Sequence, residues 1–156
     1  MRPLLFLALL LPNVAHAKDL RQRVGVGMSR GFSPVGAVSV RYGLPAKEPA
    51  VNVQAELVAG ASVLSGAADT VFVGARGLYG VVAEDNMNLY LGLGAGYLQE
   101  GDRTGVRVQP AASMQFFPFG AENLGISAEV GINFDYVGGL DIVTSAVPAA
   151  CVHYYF

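Results

Sequence analysis

The chain ends in Cys151-Val152-His153-Tyr154-Tyr155-Phe156. Successive side chains of an extended strand point to opposite faces with a period of two. Continued upstream, that period places one apolar set on a single face: Pro148, Ala150, Val152, Tyr154 and Phe156. Cys151 and His153 fall on the other face. The terminus therefore predicts a strand with one face suited to an apolar environment.

Seven more segments alternate in the same way, and the turns between them are rich in Gly, Pro, Asp and Asn. They cover residues 23–29, 36–44, 50–60, 70–81, 87–98, 104–117 and 124–136. Transmembrane barrel strands need about 9–11 residues, and bacterial barrels have an even number of them. The pattern predicts an all-β fold, an eight-stranded antiparallel up-and-down transmembrane β-barrel that forms one domain over residues 18–156.

Residues 1–17 are typical of a cleavable secretory signal peptide. Arg2 supplies the positive start, residues 4–11 form the apolar stretch, and Ala15-His16-Ala17 has the small-x-small pattern of a cleavage site. Eight apolar residues are too few for a membrane helix, which needs about 20. We therefore expect export and cleavage after Ala17.

Composition favours a membrane β-structure. The mean hydropathy is +0.43 and only 14% of the residues are charged, yet no long apolar run follows residue 17. A soluble domain of this size carries more charge, and a helical membrane protein shows continuous apolar segments. The formal net charge of −2 gives no support to nucleic acid as a partner.

The same alternation fits a soluble barrel whose apolar faces point inward, so the positions of the aromatic residues matter. The aromatic residues of the apolar faces lie near the strand ends. One rim would hold Tyr42, Tyr79, Phe116, Tyr154 and Phe156, and the other rim would hold Tyr97, Phe134 and Tyr136. Two aromatic girdles are expected of outer-membrane barrels. This favours the membrane barrel, with a soluble periplasmic barrel that binds an apolar ligand as an alternative.

The last strand resembles the C-terminal strand of bacterial outer-membrane β-barrels, in which a final Phe, an aromatic two residues before it and alternating apolar residues are recognised during assembly. The matching positions are Val152, Tyr154 and Phe156. The chain from residue 18 is similar to small eight-stranded barrels of the OmpA/OmpX type or the opacity-protein-like group. The resemblance implies a place in the cell outer membrane, with outer-membrane lipid and the barrel-assembly machinery as partners.

Six charged side chains lie on the faces opposite the apolar ones, and we predict that they form a charge network in the lumen: Arg41, Glu56, Arg76, Arg107, Glu129 and Asp135. An unpaired ion in a narrow lumen costs several kcal/mol. Glu56 and Arg76 are equidistant from Gly66, and Arg107 and Asp135 are equidistant from Ala121, which places each pair across a hairpin. The charges predict a plugged lumen, and a narrow channel for ions or small solutes is the alternative.

We expect no enzymatic activity, no cofactor and no metal. His153 is the only histidine after residue 17, and it lies at the wrong end of its strand for the Ser-His hydrolases that act at the outer side of this membrane. Cys151 shares its face, but two ligands do not make a metal cluster. Residues 92–97 miss the last glycine of a G-x-G-x-x-G loop at Tyr97, and large neighbours such as Tyr90 explain the inward glycines better.

The predicted outer connections are short, at residues 30–35, 61–69, 99–104 and 137–146. Barrels of this kind usually bind partners through long mobile loops, so these short connections do not favour an adhesin. The apolar residues expected at the surface of the connections are Phe32 and residues 140–143.

Proline in a strand removes one hydrogen bond of the ladder. We therefore expect a bulge near Gln109-Pro110, and Pro148 raises the same question at the start of the eighth strand.

Overall fold

The computed structural model describes residues 18–47, 52–63, 69–144 and 149–156. The predicted signal peptide and Pro148 lie outside these ranges. The described strands are β1 Val24–Ser29, β2 Ala37–Gly43, β3 Val53–Ser62, β4 Thr70–Ala83, β5 Met87–Glu100, β6 Arg103–Phe116, β7 Leu124–Tyr136, β8 Leu140–Thr144 and β9 Ala149–Tyr155. In the same ranges no helix is long and apolar enough to cross a membrane.

The strands close into a barrel. Each strand from β1 to β7 pairs antiparallel with the next, and β9 pairs with both β7 and β1. β8 and β9 lie one after the other along β7, β8 beside Ile132–Tyr136 and β9 beside Leu124–Glu129, so together they occupy one strand position. The fold is the predicted eight-stranded up-and-down barrel. We call the end that holds Lys18 and Phe156 the terminal end, and the opposite end the distal end.

Side chains alternate between the two surfaces of the wall as predicted. In β7, Ile126, Val130 and Ile132 are exposed on the outside, while Glu129 and Asn133 are buried in the lumen. The eight aromatic residues predicted to form two girdles are all exposed on the outside. The outside is therefore apolar and the inside largely polar.

The connection predicted over residues 137–146 is wrong. Only residues 137–139 form the turn, where Gly138 has a φ of +74° and the Val137 amide donates to the Gly139 carbonyl at 3.1 Å. β8 follows at once, because residues 140–144 are rich in β-branched side chains that favour strand pairing with β7. The eighth strand position thus reaches the distal end.

The bulge predicted at Gln109-Pro110 is also wrong. The β5–β6 register runs through Pro110, opposite Leu93, without a shift. The β6–β7 register is the same on both sides of Gln109 and Pro110, but these two residues have no paired residue on β7. A local gap in the ladder accommodates the missing amide, so no extra residue is needed. A register shift lies instead in β4, between Gly80 and Val82.

Candidate functional site: the barrel lumen

Four charged side chains occupy the centre of the lumen. Arg76 Nε donates to Glu56 Oε2 at 2.6 Å, and Arg76 Nη1 donates to Glu129 Oε1 at 2.8 Å. Arg41 Nε lies 3.2 Å from Glu56 Oε1. All four side chains are at most 1% exposed. Two arginines and two glutamates alternate in sign, so each buried charge has an opposite charge as its neighbour.

Two different features of the fold position this group, which we call the central charge cluster. Arg41, Glu56 and Arg76 lie directly opposite one another on β2, β3 and β4, and the pairing of Glu56 with Arg76 follows the prediction. Glu129 comes from β7, on the other side of the barrel, and Arg76 reaches it across the lumen. Hairpin spacing does not reveal this second contact, because β4 and β7 are not neighbours in the sheet.

A second charge pair lies toward the distal end. Arg107 and Asp135 face each other on β6 and β7 as predicted. The guanidinium binds the carboxylate through two hydrogen bonds, Nε to Oδ1 and Nη2 to Oδ2, both at 2.6 Å. Its third donor, Nη1, reaches the carbonyl of Phe32 at 3.0 Å. The pair therefore also anchors the connection between β1 and β2.

His153 joins the central charge cluster, which the sequence did not predict. Its Nε2 contacts Ser39 Oγ and lies 3.5 Å from Glu56 Oε1. In a catalytic triad the serine and the acid bind different ring nitrogens, whereas both face Nε2 here. Cys151 Sγ lies 3.4 Å from Ser29 Oγ, and no three potential metal ligands cluster within the described ranges.

Neutral polar side chains fill the lumen between the central charge cluster and the terminal end. The Tyr90 hydroxyl accepts hydrogen bonds from Asn52 at 2.8 Å and from Gln54 at 2.6 Å. Tyr155 Oη accepts from Gln115 at 2.9 Å and donates to Gln54 at 3.3 Å. These hydrogen bonds hold both tyrosine side chains in buried positions inside the lumen.

The segment that precedes β1 packs at the terminal end of the barrel. Leu20 is fully buried and forms an apolar cluster with Phe117 and Tyr155. At the surface, Lys18 Nζ lies 3.0 Å from the carboxylate of Glu122, and this hydrogen bond and charge lower the pKa of Glu122. The segment is therefore held at the terminal end by one apolar cluster and one surface ion pair.

Phe32 was predicted to be a surface residue, and that prediction is wrong. It is fully buried in the distal half of the lumen, where its ring packs edge-on against Phe72 at 4.9 Å. The inward glycines make room for both rings, since a Cβ at Gly94 would lie 2.8 Å from Phe32 Cζ and one at Gly96 would lie 2.6 Å from Phe72 Cζ. Both rings therefore pack inside the distal half of the lumen.

The three residues of the predicted assembly signal lie on the outside of the barrel. Val152, Tyr154 and Phe156 are exposed, and the rings of Tyr154 and Phe156 are 5.1 Å apart. The backbone amide of Phe156 donates to the Val24 carbonyl at 2.9 Å. This bond ties the last residue to the first strand, at the seam where the barrel closes.

The described strands thus form a closed eight-stranded antiparallel barrel with an apolar outside and a charged lumen. The fold is similar to the outer membrane protein Ail of Yersinia pestis, whose backbone structure was determined in a phospholipid bilayer nanodisc. The TM-score is 0.56 and the sequence identity 14%, with 86% of this chain and 97% of that chain covered. No family model and no curated protein matches the sequence. At this identity the likeness shows the fold alone.

Proposed function

We propose that the protein is an outer-membrane β-barrel with a structural or surface-interaction role, and that its side chains plug its lumen. The observation that carries the membrane assignment is the outside of the wall, where the alternate outward positions are mostly apolar and where every strand from β1 to β7, as well as β9, exposes at least one large apolar side chain. Contact between such a surface and lipid tails has no hydrophobic free-energy cost, whereas contact with water does. The likeness to Ail supports the same environment.

The alternatives fit the lumen less well. A soluble barrel for an apolar ligand needs an apolar cavity, but the centre of this lumen holds the central charge cluster. A channel needs a continuous path, but the apolar cluster at Leu20, the tyrosine layer, the charges and the rings of Phe32 and Phe72 follow one another along the axis. The interior of an eight-stranded barrel is just wide enough for side chains to fill it. We infer that the protein is a non-conducting, non-enzymatic barrel.

The terminal end faces the periplasm in this proposal, because an exported chain whose C-terminal strand carries the assembly signal leaves both termini there. The barrel-assembly machinery is then the partner of Val152, Tyr154 and Phe156, and outer-membrane lipid covers the wall. Cell fractionation tests the location. A folded barrel in the outer-membrane fraction should migrate differently on a denaturing gel before and after boiling, and recovery in the soluble periplasmic fraction would contradict the proposal.

Planar-bilayer recording tests the plug. The purified protein, shown to be folded by its heat-dependent migration, should pass no steady current. A steady ion-selective conductance would overturn the plug and make Arg76 and Arg107 the candidate selectivity residues.

A further inference from the structure

A groove with acidic and aromatic residues lies at the terminal end of the barrel. It lies between the turn that joins β4 to β5 and the turn that joins β6 to β7, and its volume is about 370 Å³. Ligand pockets of proteins usually measure about 300–1,000 Å³. The carboxylates of Asp85 and Glu122 line the groove, together with Phe117 and Phe119. The groove is therefore large enough for a ligand, and it offers both negative charge and apolar surface.

Backbone hydrogen bonds hold the walls of the groove in place. The Phe117 amide donates to the Asn86 carbonyl at 2.7 Å, which ties the two turns together. The Lys18 amide donates to the Glu84 carbonyl at 3.3 Å, and Phe117 packs with Leu20 in a buried cluster. The groove is thus formed before a ligand arrives, so binding does not have to order these turns.

The chain itself already places one ammonium group in the groove. Lys18 Nζ lies 3.0 Å from Glu122 Oε2 and 5.8 Å from the centre of the Phe117 ring. A carboxylate and the face of an aromatic ring both attract cations. The Lys18 side chain is only 15% exposed, although that of Glu122 is 81% exposed. This internal contact shows that the groove accepts the ammonium group of a lysine.

The carboxylates around the groove outnumber this ammonium group. Glu84 and Asp85 lie on the turn between β4 and β5, and neither forms an ion pair within the described part of the chain. Glu122 is bound by Lys18 alone. Three carboxylates therefore face one cation, which leaves capacity for further positive charge.

The other charges near the groove do not offset this excess. Asp19 and Arg21 bind each other through two side-chain hydrogen bonds, at 2.6 and 2.8 Å, so this pair is neutral. Arg23 donates to Asn123 Oδ1 at 2.6 Å and to the Tyr155 carbonyl at 3.3 Å, and it does not line the groove. The groove is acidic overall, and such a surface attracts basic ligands and repels anionic ones.

Phe119 supplies an apolar contact beside these charges. It lies on the turn beyond the end of β6 and is 89% exposed, more than any other large apolar residue in the described ranges. An aromatic ring can pack against an apolar side chain of a ligand or against a cation. The groove therefore suits a ligand that carries basic and apolar groups side by side.

We propose that this groove binds an extended cationic segment of a periplasmic polypeptide, in which basic residues alternate with apolar ones. The proposal rests on the proposed function, because it requires the terminal end to face the periplasm. One basic residue of the segment binds Asp85, a second displaces Lys18 from Glu122, and an apolar side chain packs on Phe119. Carboxylates on two separate turns favour a ligand with more than one basic group over a single amine.

The test uses a labelled peptide of sequence Lys-Phe-Lys-Phe-Lys and the protein in phosphatidylcholine nanodiscs, which leave both ends of the barrel in contact with solvent. Fluorescence anisotropy should show saturable binding that weakens as the salt concentration rises, since the contacts are exposed ion pairs. The peptide Glu-Phe-Glu-Phe-Glu has the same apolar residues and the opposite charge, and it should not bind.

Matched variants assign the binding to the groove. D85N should weaken binding by about two- to fivefold, the effect of one exposed ion pair. D102N makes the same chemical change at an exposed residue between β5 and β6, at the distal end, and should leave the affinity unchanged. F119A should weaken binding by about two- to fivefold through the loss of the aromatic contact.

Lys18 provides a sharper test, because it competes with the peptide for Glu122. K18M keeps most of the apolar stem near Phe117 and frees the carboxylate, so the peptide should bind about two- to fivefold more tightly. R103M changes the net charge of the protein by the same amount at the distal end, and it should not alter the affinity.

Absence of saturable binding, equal effects of D85N and D102N, or unchanged or weaker binding in K18M would overturn the proposal. Loss of binding in nanodiscs that contain phosphatidylethanolamine would assign the groove to lipid headgroups, and competition between the peptide and self-association of the barrel would assign it to a second copy. Either result would also overturn the proposal. Peptide binding to nanodiscs does not depend on which end faces the periplasm, so cell fractionation and heat-dependent migration test the proposed function separately.

Discussion

Replacement of Arg76 by methionine should destabilise the barrel by about 3–5 kcal/mol, the usual cost of removing one partner from a buried ion pair. Methionine keeps most of the apolar stem of the side chain, so the loss reports mainly on the charge. Arg76 touches Glu56 at 2.6 Å and Glu129 at 2.7 Å. In this variant both carboxylates lose the guanidinium of Arg76, but they differ in the cations that remain near them.

Glu56 keeps Arg41 at 3.2 Å, whereas Glu129 has no other cation among the described residues. The double variant R76M/E129Q therefore leaves one intact pair, Arg41–Glu56, and should recover about 2 kcal/mol or more of the loss. The double variant R76M/E56Q leaves Arg41 and Glu129 charged and apart, and should recover nothing. The two double variants have the same net charge and the same chemical changes, so each serves as the control for the other.

Urea unfolding in phospholipid vesicles, extrapolated to zero denaturant, gives the free energy of unfolding of each variant. Equal stability of the two double variants would show that net charge, and not the contacts of Arg76, sets the stability of the lumen. A loss below about 1 kcal/mol in R76M would refute the reasoning altogether, since it would mean that water screens the central charge cluster.

Three further changes test other parts of the barrel. Leu91→Arg, on the exposed outside of β5, should cost about 2–4 kcal/mol in a bilayer, and a barrel that tolerates it would not span the membrane there. Gly96→Ala should cost about 1–3 kcal/mol in urea unfolding, because its Cβ meets the Phe72 ring at 2.6 Å, whereas Gly77→Ala, with nothing within 4 Å, should cost none of this packing penalty. Deletion of Phe156 should lower the amount of folded protein in the outer-membrane fraction, and normal recovery would remove it from the assembly signal.

The strands could be predicted from the sequence because the side chains of every strand in a barrel wall alternate between the lumen and the outside with a period of two residues. Every residue of β7 keeps the alternation from Leu124 to Tyr136, and the predicted bounds of that strand match the structure. Hairpin symmetry added the register, so Glu56 and Arg76 could be paired by their distance from Gly66. Both inferences use local spacing, which a meandering sheet preserves.

Contacts across the lumen could not be predicted, since they depend on which strands face each other once the barrel closes. Arg76 reaches Glu129 from β4 to β7, and Ser39 meets His153 from β2 to β9. Neither pair is joined by a hairpin. Closure of the barrel sets which strands face each other and at what height, and the long side chain of Arg76 then reaches Glu129.

The connection after β1 supplies part of the buried interior of the barrel. Phe32 is an aromatic residue in a short polar connection, and sequence alone places it at the surface. Its burial depends on Gly94 and Gly74, whose missing side chains leave room for its ring. The inward turn of this connection leaves β8 paired with β7 alone among the described residues, because the pairing of β1 with β9 ends at Met28 and Val152. In this chain the residues that follow β1, among them Phe32 and Ser33, are buried inside the barrel instead of extending β1 to the distal end.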